Sequence, residues 1–136
     1  MAVGVNALTT DTKGDRNVAV GHTALATQNF DTSTDAYNTA VGYDAGGDIT
    51  TGKQNTLVGG EAGDTITTGN NNVAIGYLAL TAETTGQRSV AIGTGALDAQ
   101  SHSNRCRGID TIVVGTTAIG YRDGVVSVAF RICCWS

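Results

Sequence analysis

The sequence predicts an all-β fold, a parallel β-roll or β-solenoid of about seven to eight stacked 17-residue coils forming one repeat domain over residues 1–136. Three observations carry this prediction. A core spelled NVAIG from Asn72 recurs as NVAVG from Asn17, NTAVG from Asn38, NTLVG from Asn55, SVAIG from Ser89 and TIVVG from Thr111, with AVG already at Ala2. Its closing glycines, Gly4, Gly21, Gly42, Gly59, Gly76, Gly93 and Gly115, stand at intervals of 17, 21, 17, 17, 17 and 22 residues. The composition completes the picture: 40% hydrophobic, only 5% aromatic, 19 glycines and no proline suit a narrow core repeated along an axis better than one bulky centre.

With Asn72 as position one and Gly76 as position five, β-branched residues recur at positions two and four: Val18 and Val20, Val73 and Ile75, Val90 and Ile92, Ile112 and Val114. Positions three and five are mostly alanine and glycine. Period two means a strand, and the small side means that something packs closely against it. A helix is excluded because glycine or asparagine interrupts each segment within about a turn and a half. Position eight is alanine in seven copies (Ala7, Ala24, Ala45, Ala62, Ala79, Ala96, Ala118), and position nine is Leu8, Leu25, Gly46, Gly63, Leu80, Leu97 and Ile119. Gly14, Gly52, Gly69, Gly86, Gly108 and Gly124 stand three residues before a core, with Asp35 the exception, and read as turn residues adopting positive φ. Each coil thus reads as strand, bend, second strand and glycine turn.

Asparagine at position one, Asn17, Asn38, Asn55 and Asn72, is expected to take the left-handed conformation and to pass amide hydrogen bonds from coil to coil, with Ser89 and Thr111 continuing the ladder. Two copies are longer. Their extra residues fall within 28–37 (QNFDTSTDAY) and 100–110 (QSHSNRCRGID) and are expected to loop outward, where Phe30, Tyr37, His102, Arg105 and Arg107 are the candidate receptor-facing side chains. Residues 127–136 restart the core at Ser127 but put Arg131 for the glycine, Cys134 for the alanine and Trp135 for the leucine, so they read as an atypical terminal coil closing the stack.

The net charge of −4 and the lack of a basic stripe exclude nucleic acid as a partner. No apolar run approaches the ~18 residues of a membrane helix, and no charged start followed by an apolar block marks a secretory signal. Cys106, Cys133 and Cys134 are an odd set without a disulfide framework, which fits synthesis in a reducing cytoplasm. No catalytic constellation and no cofactor site emerges. His22, at position six, reads as a solvent-facing substitution; His102 with the three cysteines lacks zinc-site spacing. A calcium roll, suggested by GGDIT from Gly46, lacks the nonapeptide period, and the acids Asp44, Asp48, Glu61 and Asp64 read as surface turn residues rather than a sugar-cleaving pair. Threonine pairs such as Thr50-Thr51, Thr67-Thr68 and Thr84-Thr85 raise an ice-binding surface, but they precede turn glycines.

The pattern N-[TV]-A-[VI]-G-x-x-A-L followed by a TTG turn, as in DITTGKQNT and DTITTGNNN, resembles the head repeats of trimeric autotransporter adhesins, the YadA-like left-handed parallel β-roll, and the related 17-residue repeats of phage tail fibres. The resemblance spans Ala2 to about Phe130. It implies a homotrimer in which small faces allow three chains to approach, no catalytic residues, and a rigid rod that meets a host receptor or glycan. The expected setting is a virion fibre or spike beside other virion proteins; the alternative is the head of an adhesin on a bacterial cell surface.

Overall fold

The computed structural model describes residues 1–81 and 84–97 together with strands at 109–114 and 128–133. It shows a parallel β-solenoid of about five turns with no helix among the described residues. The strands are β1 (Ala2–Val3), β2 (Gly14–Asp15), β3 (Val18–Val20), β4 (Thr34–Asp35), β5 (Thr39–Val41), β6 (Thr56–Val58), β7 (Val73–Ile75), β8 (Ser89–Ile92), β9 (Ile109–Val114) and β10 (Val128–Cys133). Eight form one sheet in the order β1-β3-β5-β6-β7-β8-β9-β10, and β2 pairs with β4 in a second. Equal repeat positions lie above one another: Ala19 pairs with Ala40, Ala40 with Leu57, Leu57 with Ala74 and Ala74 with Ala91.

The faces of the strand are the reverse of what a small outer surface would require. Position three points inward, with Ala19, Ala40, Leu57, Ala74 and Ala91 fully buried, while positions two and four look outward and stay half-buried or exposed. The coil is too flat for β-branched residues on its inner side, so the small face lies inside each chain and not between chains. Bulk comes from elsewhere. Ala24, Ala45, Ala62, Ala79 and Ala96 at position eight and Leu25, Leu80 and Leu97 at position nine complete the core. Where position nine is glycine the volume is supplied sideways: a methyl on Gly46 or Gly63 would strike Leu57 and Ile49 or Ile66, which occupy that space. A leucine-sized group buried this way contributes about 2 kcal/mol.

Corners of the coil are made by residues in the left-handed region, three per circuit. They are the residue before position one (Arg16 at φ 62, Gln54 at 58, Asn71 at 60), position seven (Thr23 at 58, Glu61 at 55) and position nine (Leu25 at 52, Leu80 at 61). The asparagines of position one are not among them; the left-handed residue is their predecessor. Each such residue costs about 1–2 kcal/mol in a free chain, offset here because the corners keep the ladder bonded. Position seven donates to the coil before (Glu61 N to Tyr43 O, 2.7 Å) and position nine to the coil after (Leu80 N to Ala96 O, 2.8 Å). Among the described residues the expected second strand of each circuit is therefore a kinked segment without regular strand, and β2 and β4 fall instead at the positions read as turns, Gly14 and Asp35.

The glycines preceding each core also act differently from expectation. Gly14, Gly52 and Gly69 do not adopt positive φ; a Cβ on Gly52 or Gly69 would sit under 3.0 Å from the carbonyl oxygen of Gly69 or Gly86 in the next coil. At the far end, β10 does not restart the parallel stack. It runs antiparallel to β9, pairing Val128 with Val114 and Cys133 with Ile109. A parallel coil needs φ between 123° and 143° at position five, as at Gly21 and Gly93, and Arg131 would be strained there.

Candidate functional site

The residues that recur in the repeat form a continuous polar seam inside the solenoid. Asn38, Asn55 and Asn72 are fully buried and Asn17 is 5% exposed. Each Oδ1 accepts the backbone N–H of the next coil's position-one residue: Asn17 from Asn38 at 3.0 Å, Asn38 from Asn55 at 2.9 Å, Asn55 from Asn72 at 3.0 Å and Asn72 from Ser89 at 3.0 Å. The Nδ2 of the last three reaches a turn carbonyl, Asn38 to Gly52 at 2.7 Å, Asn55 to Gly69 and Asn72 to Gly86 both at 2.9 Å, while that of Asn17 donates to Asp11 Oδ2 at 3.3 Å. Sequence reading missed the branch of this seam at Gln28, which is fully buried, donates to Asp11 Oδ2 at 2.6 Å and accepts from Asn38 Nδ2 at 2.7 Å. Gly21, Gly42, Gly59, Gly76 and Gly93 close the strand at its other end at positive φ, and Gly115 lies outside the described residues.

The first insertion, 28–37, is strapped to its neighbours. Phe30 is 5% exposed beneath the Lys53 ammonium, 5.9 Å from the ring centre, so it anchors the segment instead of facing outward as expected. Lys13 Nζ donates to the Asp31 carbonyl at 2.5 Å. Tyr37 is the exposed member; the Arg16 guanidinium lies 5.3 Å over its ring, donates to its hydroxyl and pairs with Asp35 at 2.9 Å. His102, Arg105 and Arg107, with most of the second insertion at 100–110, lie outside the described residues, as do Cys106, Cys134 and Trp135.

Two stripes run along the outside. Positions two and four stack Val18, Thr39, Thr56, Val73 and Val90 beside Val3, Val20, Val41, Val58, Ile75 and Ile92, with Val3 54%, Ile75 39% and Ile92 36% exposed. At position six His22 stacks on Tyr43 with centroids 5.6 Å apart and planes at 15°, and Tyr77 lies over Gly60. His22 is exposed, as its solvent-facing reading expects, and the recurrence of aromatic residues at this repeat position is the signal for the stripe.

The acids of adjacent coils produce one uneven spot. Asp64 Oδ1 is buried with no hydrogen-bond partner, and burial, aided by Glu61, Asp44 and Asp48, pushes this carboxyl above the ordinary carboxylate range. Among the described residues no three His, Cys, Asp or Glu side chains converge to hold a metal ion. A carboxyl that holds its proton more tightly when folded stabilises the fold at low pH, and that contribution is lost as pH rises through its raised pKa. Asp64→Asn is therefore expected to raise the melting temperature by a few degrees at pH 7, on the order of 1 kcal/mol after solvent screening. The gain should vanish below about pH 3.8, the ordinary value. Equal melting of the two proteins at both pH values would refute the assignment.

Threonine hydroxyls in the turns are committed to the stack: Thr27 Oγ1 donates to Gly47 O at 2.6 Å, Thr50 to Thr67 O at 3.1 Å and Thr67 to Thr84 O at 2.9 Å. Comparison of the chain with protein-family models, with curated proteins and with solved structures finds no match.

Proposed function

We propose that the chain is a non-enzymatic fibre or spike module: a homotrimer of left-handed β-rolls, each of seven to eight coils, that presents a host-attachment surface on a virion. The observation that carries this reading is the outward ladder of Val20, Val41, Val58, Ile75 and Ile92, an aliphatic strip kept in register by the parallel pairing and left open to water in the single chain. Such a strip repeated along a rod is suited to burial against copies of itself, and three copies around an axis close without leaving an edge. Buried polar side chains here serve coil-to-coil bonding, which supports a structural role. The partners are then two further copies, neighbouring fibre proteins, and a host receptor or glycan reached through exposed features such as Tyr37.

Light scattering coupled to size exclusion tests the assembly. The parent chain is expected to run as a trimer, and Val58→Lys with Ile75→Lys to run as a monomer that keeps its circular-dichroism spectrum, since neither side chain enters the core. A monomeric parent would remove the proposal. Attachment is tested separately: Tyr37→Ala is expected to weaken adsorption to host cells severalfold with its melting temperature kept. Unchanged adsorption after removal of both insertions would exclude them as the contact. The same rod would serve as a bacterial adhesin head if the gene encodes a secretion signal and a membrane-anchor domain.

A further inference from the structure

The hydrogen bonds of the stack do not tell one coil from another. Asn38, Asn55 and Asn72 each donate the backbone N–H to the asparagine amide oxygen of the coil before, at 3.0, 2.9 and 3.0 Å. The glycine notch is equally uniform: a Cβ on Gly21, Gly42, Gly59 or Gly76 would come within 3.0 Å of the position-five carbonyl in the following coil. A coil seated one place out of order would recover the same ladder and the same notch, which is the slip that repeated strands invite. Whatever fixes the order of the coils must lie in the side chains that differ between them.

The interior supplies such a difference. Position twelve, counted from the same core, is Asp11, Gln28, Ile49 and Ile66, and it follows position nine: Leu8 and Leu25 accompany the polar pair, Gly46 and Gly63 the isoleucines. The sequence continues the rule with Leu80 before Glu83 and Leu97 before Gln100. Space explains the coupling. A Cβ on Gly46 would come 3.0 Å from Ile49 Cδ1, and one on Gly63 would come 2.9 Å from Ile66 Cδ1. Beside Leu25, position twelve is hydrogen-bonded instead, Gln28 bridging Asp11 and Asn38.

Leu57 reads this difference. Position three is alanine in β3, β5, β7 and β8, and leucine in β6 alone among these parallel strands. Its two methyl groups fill both glycine spaces: Cδ1 lies 2.7 Å from where a Cβ on Gly46 would stand in the coil before, and Cδ2 lies 2.8 Å from the same place on Gly63 in its own coil. With coil 55–71 seated instead on coil 17–37, Leu57 would meet the Leu25 side chain where it now meets Gly46. Over-filling of that kind forces a close-packed interior apart.

We infer that Leu57, with glycine at position nine of its own coil and of the coil before, is a register key: it seats coil 55–71 on coil 38–54 and excludes stacking one coil out of order during folding. The device lies inside a single chain, so it is independent of the trimer, whose strip lies outside.

The test follows refolding of the full chain with Cys106, Cys133 and Cys134 changed to serine and reporter cysteines at the outward position two, Val18→Cys, Thr39→Cys and Thr56→Cys. Native pairing stacks 18 on 39 and 39 on 56. Positions 18 and 56 stand two coils apart, ~9.6 Å at ~4.8 Å per coil, past the ~7 Å between Cα atoms that a disulfide spans. Oxidation during refolding, stopped by alkylation, captures both registers, and peptide mapping scores the intrachain disulfides alone. The parent is expected to give 18–39 and 39–56. Leu57→Ala removes the key, and Leu25→Gly opens the wrong seat at a φ of 52 that glycine accepts. Each is expected to raise the 18–56 share at least about fivefold, the factor set by the low end of an over-filling penalty. Leu80→Ala is the control, because it empties core volume and leaves both seats of Leu57 unchanged. An 18–56 share that stays at the parent level in both variants, or rises as much in Leu80→Ala, overturns the inference.

Discussion

Gly59→Ala is expected to lower stability by roughly 3–5 kcal/mol, measured by urea unfolding at one fixed protein concentration because association would add to the apparent value. Gly59 sits at φ 137, where an L side chain is strained by ~1–3 kcal/mol. A methyl there also comes under 3.0 Å from the Gly76 carbonyl, a backbone atom that cannot rotate away. Relief requires the two coils to part locally, at the expense of Thr56 N to Asn72 O and Gly76 N to Val58 O, both 2.8 Å, each worth ~1 kcal/mol net. Its neighbour is the control. A Cβ on Gly60 meets only the Tyr77 ring, at 3.4 and 3.7 Å, and its φ is not positive, so Gly60→Ala should change stability by less than about 0.5 kcal/mol. Equal losses at 59 and 60 would mean that the notch is not what excludes side chains.

Asn55→Ala is the second large effect, expected at ~3–4 kcal/mol. The amide holds Gly69 O at 2.9 Å through Nδ2 and both the backbone N–H and Nδ2 of Asn72 through Oδ1, at 3.0 and 3.1 Å. Its loss strands the buried Gly69 carbonyl and the buried Asn72 N–H. Asn71, the same residue type immediately before position one but exposed and at φ 60, is the contrast: Asn71→Gly should be near neutral, because it uses only the conformation. A thermodynamic cycle on Asn38 and Asn55 should show losses that fall short of additive, since Asn38 Oδ1 accepts both Asn55 N and Asn55 Nδ2. Strict additivity would argue that the seam is a row of independent bonds.

The repeat made the fold legible because the same five residues must satisfy the same neighbours in every coil. Spacing of the closing glycines placed β3, β5, β6, β7 and β8 at their positions, and the parallel register followed from it. What the pattern could not say is which face is inside. Alternation between Val18-Val20 and Ala19-Gly21 is symmetrical as a string, and only the closeness of the opposite wall, lined by Ala24 and Leu25, selects alanine for the interior. Residue type likewise hid the reason for glycine. Gly52 and Gly21 look alike in sequence, yet one avoids a carbonyl at an ordinary φ and the other also needs φ 139. Among the proposed contact residues Phe30 and Tyr37 share an insertion and an aromatic ring, but Lys53 from the next coil covers the first and Arg16 from the coil before presents the second. Neighbours 21 to 23 residues away decide such fates, and no local pattern contains them.

Every corner, notch and amide of this chain refers to the coil immediately above or below, so the unit that can be gained or lost without repair is a whole circuit. Duplicating or deleting 17 residues in frame, the spacing from Gly42 to Gly59 and from Gly59 to Gly76, leaves each remaining bond with an equivalent partner. Length then becomes a quantised heritable trait, adjustable in steps of about 4.8 Å per coil. Unequal recombination between near-identical repeats supplies such steps in one event.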